Sequence, residues 1–232
     1  MDRSQLVGKL IDLGVVSFKR SVKVAGVRRE ELALAVHPAM ALAFPETRKA
    51  ILEHLESELV DLRQAKVDSF AAVGFDSLPW AAWLADRQEK PLIYLTEMLG
   101  ETGEQRHHVE GFFLRNHFVV CVESVLDNTL EWVSALRALR QRWCRVPLLL
   151  AIVDANPKVN QKSFAWLEVP FAPLCALDEI VDAGVQRGLL KKAEATRLLK
   201  GFYAKLKPVP KPKPEDEKKK HAQVHDLDEH GH

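Results

Sequence analysis

The residues best placed to bind a ligand fall in one run, Glu123-Ser124-Val125-Leu126-Asp127-Asn128-Thr129. It follows Phe118-Val119-Val120-Cys121-Val122, an apolar, β-branched stretch of the kind a parallel strand covered on both faces shows. Asp127, Asn128 and Thr129 are types whose side chains accept hydrogen bonds from the free N–H groups of a helix start. A strand, an acidic turn and a helix in that order put the turn at the carboxyl edge of a sheet, where open α/β folds bind ligands. A second group, Arg106, His107 and His108, lies in the polar stretch 96–111. Imidazoles titrate near neutrality, so the pair offers a proton relay or an anion contact. Among the five tryptophans, Trp80 follows the Leu78-Pro79 turn, near the expected mouth of a pocket, where it offers a surface for stacking on a base.

The elements that hold these residues read as alternating strands and helices. After the central strand, Leu130, Val133, Leu136 and Leu139 recur at helical spacing, until Pro147 precedes a second apolar strand, 148–153. Upstream, Leu6, Leu10, Ile11 and Leu13 mark an amphipathic helix that Gly14 ends. Alternation over 21–26 predicts one arm of a hairpin whose turn holds Gly26, so the chain opens with a helix and a small β cover. A long helix opens at Glu46 and carries Ile51, Leu52, Leu55, Leu59 and Leu62. Strands are predicted over 67–75 and 91–95, with a helix from Leu78-Pro79 between them. The stretch 96–111 shows no clear period and reads as a mobile loop. Beyond the central unit, Phe164 to Leu167, Val169-Pro170 and Phe171 to Leu177 suggest a further short strand after a connector. A helix from Leu177 and one or two lysine-rich helices before Tyr203 follow.

Composition narrows the function classes. A chain of 232 residues, 47% hydrophobic and 28% charged, suits one domain with appendages. With 33 basic against 32 acidic residues, net charge is +1, so no global field argues for nucleic acid or an anionic membrane. Cys121, Cys144 and Cys175 are scattered among apolar neighbours, as buried thiols of a reducing compartment would be, and frame no zinc site. No apolar run reaches membrane-spanning length, and a cytoplasmic location is expected. Residues 1–204 are expected to form the folded domain. Residues 205–232, a proline–lysine spacer followed by charges and four histidines, are expected to be a disordered tail. Its histidines have the spacing of a loose chelator, but a solvated or partner-binding tail suits the composition better.

From about Leu10 to about Leu190 the order of these strings resembles the orotate phosphoribosyltransferase family. Leu13-Gly14-Val15-Val16-Ser17-Phe18 with Val22-Lys23-Val24-Ala25-Gly26 is similar to that family's opening segment and hood hairpin. His37-Pro38 to Arg48, Gly74 to Leu84, Pro91-Leu92-Ile93-Tyr94, Val109-Glu110-Gly111, Val119 to Glu123 and Leu177-Asp178-Glu179-Ile180 resemble successive family segments. The resemblance implies an α/β fold with a central, mostly parallel sheet flanked by helices and a small N-terminal hood. It also implies a homodimer, a phosphoribosyl or nucleotide ligand and, in an active member, magnesium.

The chain departs from the family where phosphate is handled. Glu123 matches the first of two adjacent acids that hold the ribose, but Ser124 stands at the second. The following loop has no glycine, and Asp127 and Asn128 stand where the 5′-phosphate would sit. A carboxylate there repels a phosphate by about 4 kcal/mol at an effective dielectric constant near 20. In the catalytic loop Thr96-Glu97 replaces an arginine–lysine start, which leaves Lys23, Arg106 and His107 as the candidates for any remaining catalysis. Three functions follow as expectations: a non-catalytic family relative that binds a nucleotide-like ligand or a protein, a magnesium-dependent phosphoribosyltransferase acting on orotate or another base, and a structural interaction protein using the tail.

Overall fold

A computed structural model describes residues 1–19, 22–24, 27–29, 33–60, 66–99, 105–127 and 129–203. Helix α1 (Arg3–Asp12) is fixed at its start by a reciprocal cap. The Asp2 carboxylate accepts the Gln5 N–H at 2.8 Å and the Gln5 side chain accepts the Asp2 N–H at 3.1 Å. The hood is two antiparallel pairs, β1 (Val16–Lys19) with β4 (Ala33–Val36) and β2 (Val22–Val24) with β3 (Val27–Arg29). The expected turn at Gly26 lies outside the described residues. A 3₁₀ turn over Pro38–Ala43 leads into α2 (Pro45–Val60), which buries Ile51, Leu52 and Leu55. Leu62, expected on the same helix, lies outside the described residues.

The main sheet contains β5 (Ser69–Val73), β6 (Leu92–Leu99), β7 (Gln105–Glu110), β8 (Phe118–Leu126), β9 (Arg145–Asp154) and β10 (Phe171–Ala176). Their spatial order is β10-β9-β8-β5-β6-β7, parallel throughout except for the β6–β7 pair. Helices α3 (Leu78–Arg87), α4 (Thr129–Gln141), α5 (Pro157–Leu167), α6 (Leu177–Gln186) and α7 (Lys192–Tyr203) complete the chain. Alternate strand residues feed two separate cores. Phe70, Ala72, Val120, Val122, Leu148 and Leu150 pack with α1, α2 and α3. Ala71, Val73, Val119, Cys121, Leu149 and Ala151 pack with α4 and α5 on the other face. Burial on both faces is why these strands are apolar at every position, and each fully buried Val, Leu or Phe contributes roughly 1.5–3 kcal/mol. Pro173 is tolerated in β10 because that strand is an edge, where a missing N–H leaves no ladder partner wanting.

Three expectations are corrected. The central strand does not stop at Val122: it runs to Leu126, with Glu123 opposite Ala151 and Val125 opposite Val153. Glu123 and Ser124, read as part of a turn, are strand residues whose polar groups are bonded inside the fold. The stretch 96–111 is not a single loop, since β6 and β7 form an antiparallel hairpin in which Glu97 pairs with His107 and Leu95 with Val109. Its period of two was hidden because one of the inward positions is a histidine. Finally, Phe164 to Leu167 are helical. Asn160, Ser163, Phe164 and Leu167 are buried at i, i+3, i+4 and i+7, but two of the four are polar, which masked the helical period. Among the described residues no helix is long and apolar enough to cross a membrane.

The hairpin leaves the sheet through Gly111, at φ +108°, a conformation that L side chains rarely adopt. A Cβ there would lie 3.0 Å from Ile93 Cγ2 and 3.1 Å from the Leu92 carbonyl oxygen. Gly111→Ala is expected to destabilise the fold by roughly 1–3 kcal/mol, seen as a lower melting temperature; an unchanged melting temperature would show that this exit is not constrained.

Candidate functional site

Strand β5 lies between β8 and β6, so successive connections leave it in opposite directions. The crevice beyond the carboxyl ends of β5 and β8 is therefore the topological switch point, where open α/β sheets bind ligands. From β5 the chain turns through Gly74, at φ +74°, and Phe75 to reach Ser77 at the start of α3. Phe75 is 79% exposed at this edge. Ser77 is fully buried and its hydroxyl crosses the crevice, donating to Glu123 Oε1 at 2.5 Å.

Glu123 is met by donors on both oxygens. The Ser124 N–H reaches Oε1 at 2.7 Å and is shared with Ser77 Oγ at 3.0 Å. From the first turns of α4 the Trp132 indole N–H donates to Oε2 at 3.2 Å, while its ring meets Phe164 edge-on at 6.4 Å. Burial pushes the Glu123 carboxyl up to about 8, outweighing the Ser77, Ser124 and Trp132 hydrogen bonds that favour its charged form. The neighbouring Glu131 carboxylate pushes in the same direction as burial. A ribose diol needs a charged acceptor that faces the crevice. Here the one acid of the motif is 8% exposed and its oxygens are taken up by interior donors.

The remaining expected residues are spread around this point. Ser124 is buried beside Glu123, and exposed Asp127 ends β8 with its N–H bonded to the Val125 carbonyl. Thr129 opens α4; its side chain, Asn128 and the Lys23 side chain lie outside the described residues. Trp80 is a correction: it is not at a pocket mouth but fully buried, edge-on to Trp83 at 5.9 Å. The helical phase of α3 turns Trp80, Ala81, Leu84 and Ala85 to the core, so the indole fills volume there. The histidine pair is corrected too, because neighbouring strand residues point to opposite faces. His107 has a fully buried side chain with Nδ1 3.0 Å from Ser134 Oγ on α4. His108 faces outward, 3.4 Å from the Glu110 carboxylate, and Arg106 is exposed.

No protein-family model matches the chain. It is 25% identical over 160 residues to the orotate phosphoribosyltransferase of Coxiella burnetii, which spans 69% of this chain and 76% of the relative. In structure it resembles the orotate phosphoribosyltransferase of Aeropyrum pernix, with a TM-score of 0.61 at 23% identity over 80% of this chain and 99% of that one. The chain is similar in sequence to orotate phosphoribosyltransferases and shares their fold. Leishmania donovani UMP synthase shares the fold at a TM-score of 0.63 and 17% identity; this chain is covered over 87% and spans 42% of that longer protein.

Within this orotate phosphoribosyltransferase-like fold, the partners of Glu123 were not found from sequence. Ser77 and Trp132 lie 46 residues upstream and nine downstream of it. A buried acid required donors, but no local pattern said which. The placement sets a pH dependence. Folded Glu123 holds its proton up to about 8, whereas the unfolded chain releases it near its ordinary value, about 4.3. Its neutral burial is fully favourable below the lower value, and that stability is lost as pH rises through the folded value, at about 1.4 kcal/mol per unit of difference. Glu123→Gln keeps the shape without the titration. The melting temperature of the variant minus that of the wild type should therefore rise between pH 5 and 8; a constant difference would show that Glu123 is charged throughout.

Proposed function

We propose that this orotate phosphoribosyltransferase-like chain is a non-catalytic, cytoplasmic module that binds a nucleotide-like ligand at the carboxyl edge of its sheet. The observation that supports this most strongly is the inward engagement of Glu123 by Ser77, Ser124 and Trp132. An acid that must cradle ribose and tolerate a nearby cation is replaced by a neutral group holding α3, β8 and α4 together. Asp127 adds an exposed acidic residue immediately after β8, unfavourable to a phosphate dianion. The crevice keeps features a ligand can use: exposed Phe75 offers an apolar surface for a base, and the start of α4 offers N–H groups. Residues 205–232 supply a lysine-rich, histidine-bearing arm for a protein partner, and a homodimer follows from the resemblance. The alternative is a magnesium-dependent phosphoribosyltransferase joining orotate or another base to phosphoribosyl pyrophosphate, favoured by the activity named for the relatives.

Calorimetric titration with phosphoribosyl pyrophosphate and magnesium, then orotate, then a panel of nucleoside monophosphates, separates the two. The expected result is binding of a monophosphate with no release of pyrophosphate over hours. Turnover of orotate or another base would overturn the proposal and establish an enzyme. Silence across the whole panel would remove the nucleotide ligand and leave an interaction protein.

A further inference from the structure

At the β6–β7 end of the sheet, three ligand-type side chains converge from three elements. Glu97 comes from β6, His107 from its cross-strand partner position on β7, and Glu131 from the first turn of α4. One ligating atom from each lies within 4.8 Å of the others, and His107 Nε2 is 3.9 Å from Glu131 Oε1. The decisive feature is the histidine. Its side chain is fully buried, and Nε2, which faces the carboxylates, has no hydrogen-bond partner. A buried polar atom without a partner costs roughly 1–3 kcal/mol, so such an atom calls for an explanation.

The other ring nitrogen supplies it. Nδ1 lies 3.0 Å from Ser134 Oγ, one helical turn beyond Glu131. When Nδ1–H donates to that hydroxyl, the Nε2 lone pair is the one that faces the two carboxylates. A cation placed among these three ligand atoms would give the unpartnered Nε2 a partner and bind both carboxylates at once. A histidine held by a hydrogen bond at one nitrogen while the other faces acids is the arrangement found around metal-ligating imidazoles.

We propose that Glu97, His107 and Glu131 form a binding site for a divalent transition-metal ion of the zinc type. One imidazole nitrogen and two carboxylate oxygens suit Zn²⁺ at bond lengths of about 2.0–2.2 Å and leave a fourth position open. Tetrahedral geometry at those lengths sets the ligand atoms about 3.4 Å apart, so the side chains close by up to about 1.4 Å around the ion. Glu97, at the exposed side, and Glu131, with its side chain 24% exposed, have room to do so, while His107 is the fixed member. Magnesium, which keeps oxygen ligands and several waters, is disfavoured by the imidazole. The bound ion ties the β6–β7 hairpin to the start of α4. The site borders the crevice, since Glu131 acts on the Glu123 carboxyl, but a zinc titration reads a different ligand from the nucleotide proposal.

The test uses the full chain with His221, His225, His230 and His232 each replaced by glutamine, so that the tail contributes no imidazoles. Titration with Zn²⁺ is expected to give one site per chain and a rise in melting temperature of several degrees, with Co²⁺ giving the visible absorption of a low-coordinate complex. His107→Gln and Glu131→Gln should each weaken binding at least tenfold, while His108→Gln, on the outward face of the same strand, should leave it unchanged. If His107→Gln fails to fold by circular dichroism, Glu131→Gln and Glu97→Gln decide the matter. No Zn²⁺ heat and no Co²⁺ absorption, or the same affinity in the Glu131→Gln and Glu97→Gln variants, would overturn the site.

Discussion

The hydrogen bond from Ser77 to Glu123 joins the start of α3, just beyond β5, to strand β8, and the arrangement of this edge depends on it. A carboxyl group that is 8% exposed is tolerable only if its oxygens find donors, and they come from three separate elements. The start of α3, strand β8 and the first turns of α4 are thereby held in one relation. Removing any one donor leaves the others facing a poorly satisfied acid, so the cluster is cooperative in the way buried polar networks are. It is also self-contained, because its demands are met without a ligand.

Around this knot the sheet divides its side chains between two cores. The α1–α2–α3 face takes Phe70, Ala72, Val120 and Val122, and the α4–α5 face takes Ala71, Val73, Val119 and Cys121. Because α4 lies on one face and α3 on the other, the Glu123 cluster is where the two layers are tied through the sheet's edge rather than through its apolar surface. The flanking helices are tied at their exposed sides by other means. Arg187 on the α6 side reaches the Gly8 carbonyl and the Asp12 carboxylate of α1, and Tyr203 of α7 donates to Asp178 of α6.

The parallel sheet and its helices were legible because strands buried on both faces are apolar at every residue, as in Val119 to Val122 and Leu148 to Val153. The helix start at Leu78 was legible from Pro79, and that of α2 was placed one residue late, at Glu46. What the sequence hid were the places where a polar residue occupies an inward position. His107 concealed strand β7, Asn160 and Ser163 concealed helix α5, and Glu123 made a continuing strand look like a turn. His107, Asn160 and Glu123 are each bonded to a group far along the chain, Ser134, the Leu126 carbonyl and Ser77 respectively. Such partners exist only in three dimensions. Trp80 failed differently: its position after a turn suggested exposure, while the phase of α3 decided its burial.

The proline in β10 has a consequence for crowding. A sheet of parallel strands offers its outer backbone as a template on which another extended chain can add itself. Pro173 withholds an N–H from β10, at one end of the sheet order, and Arg106, His108 and Glu110 place charge along β7 at the other. Both borders thus discourage stray strand addition, which protects a sheet whose interior strands would aggregate readily if exposed.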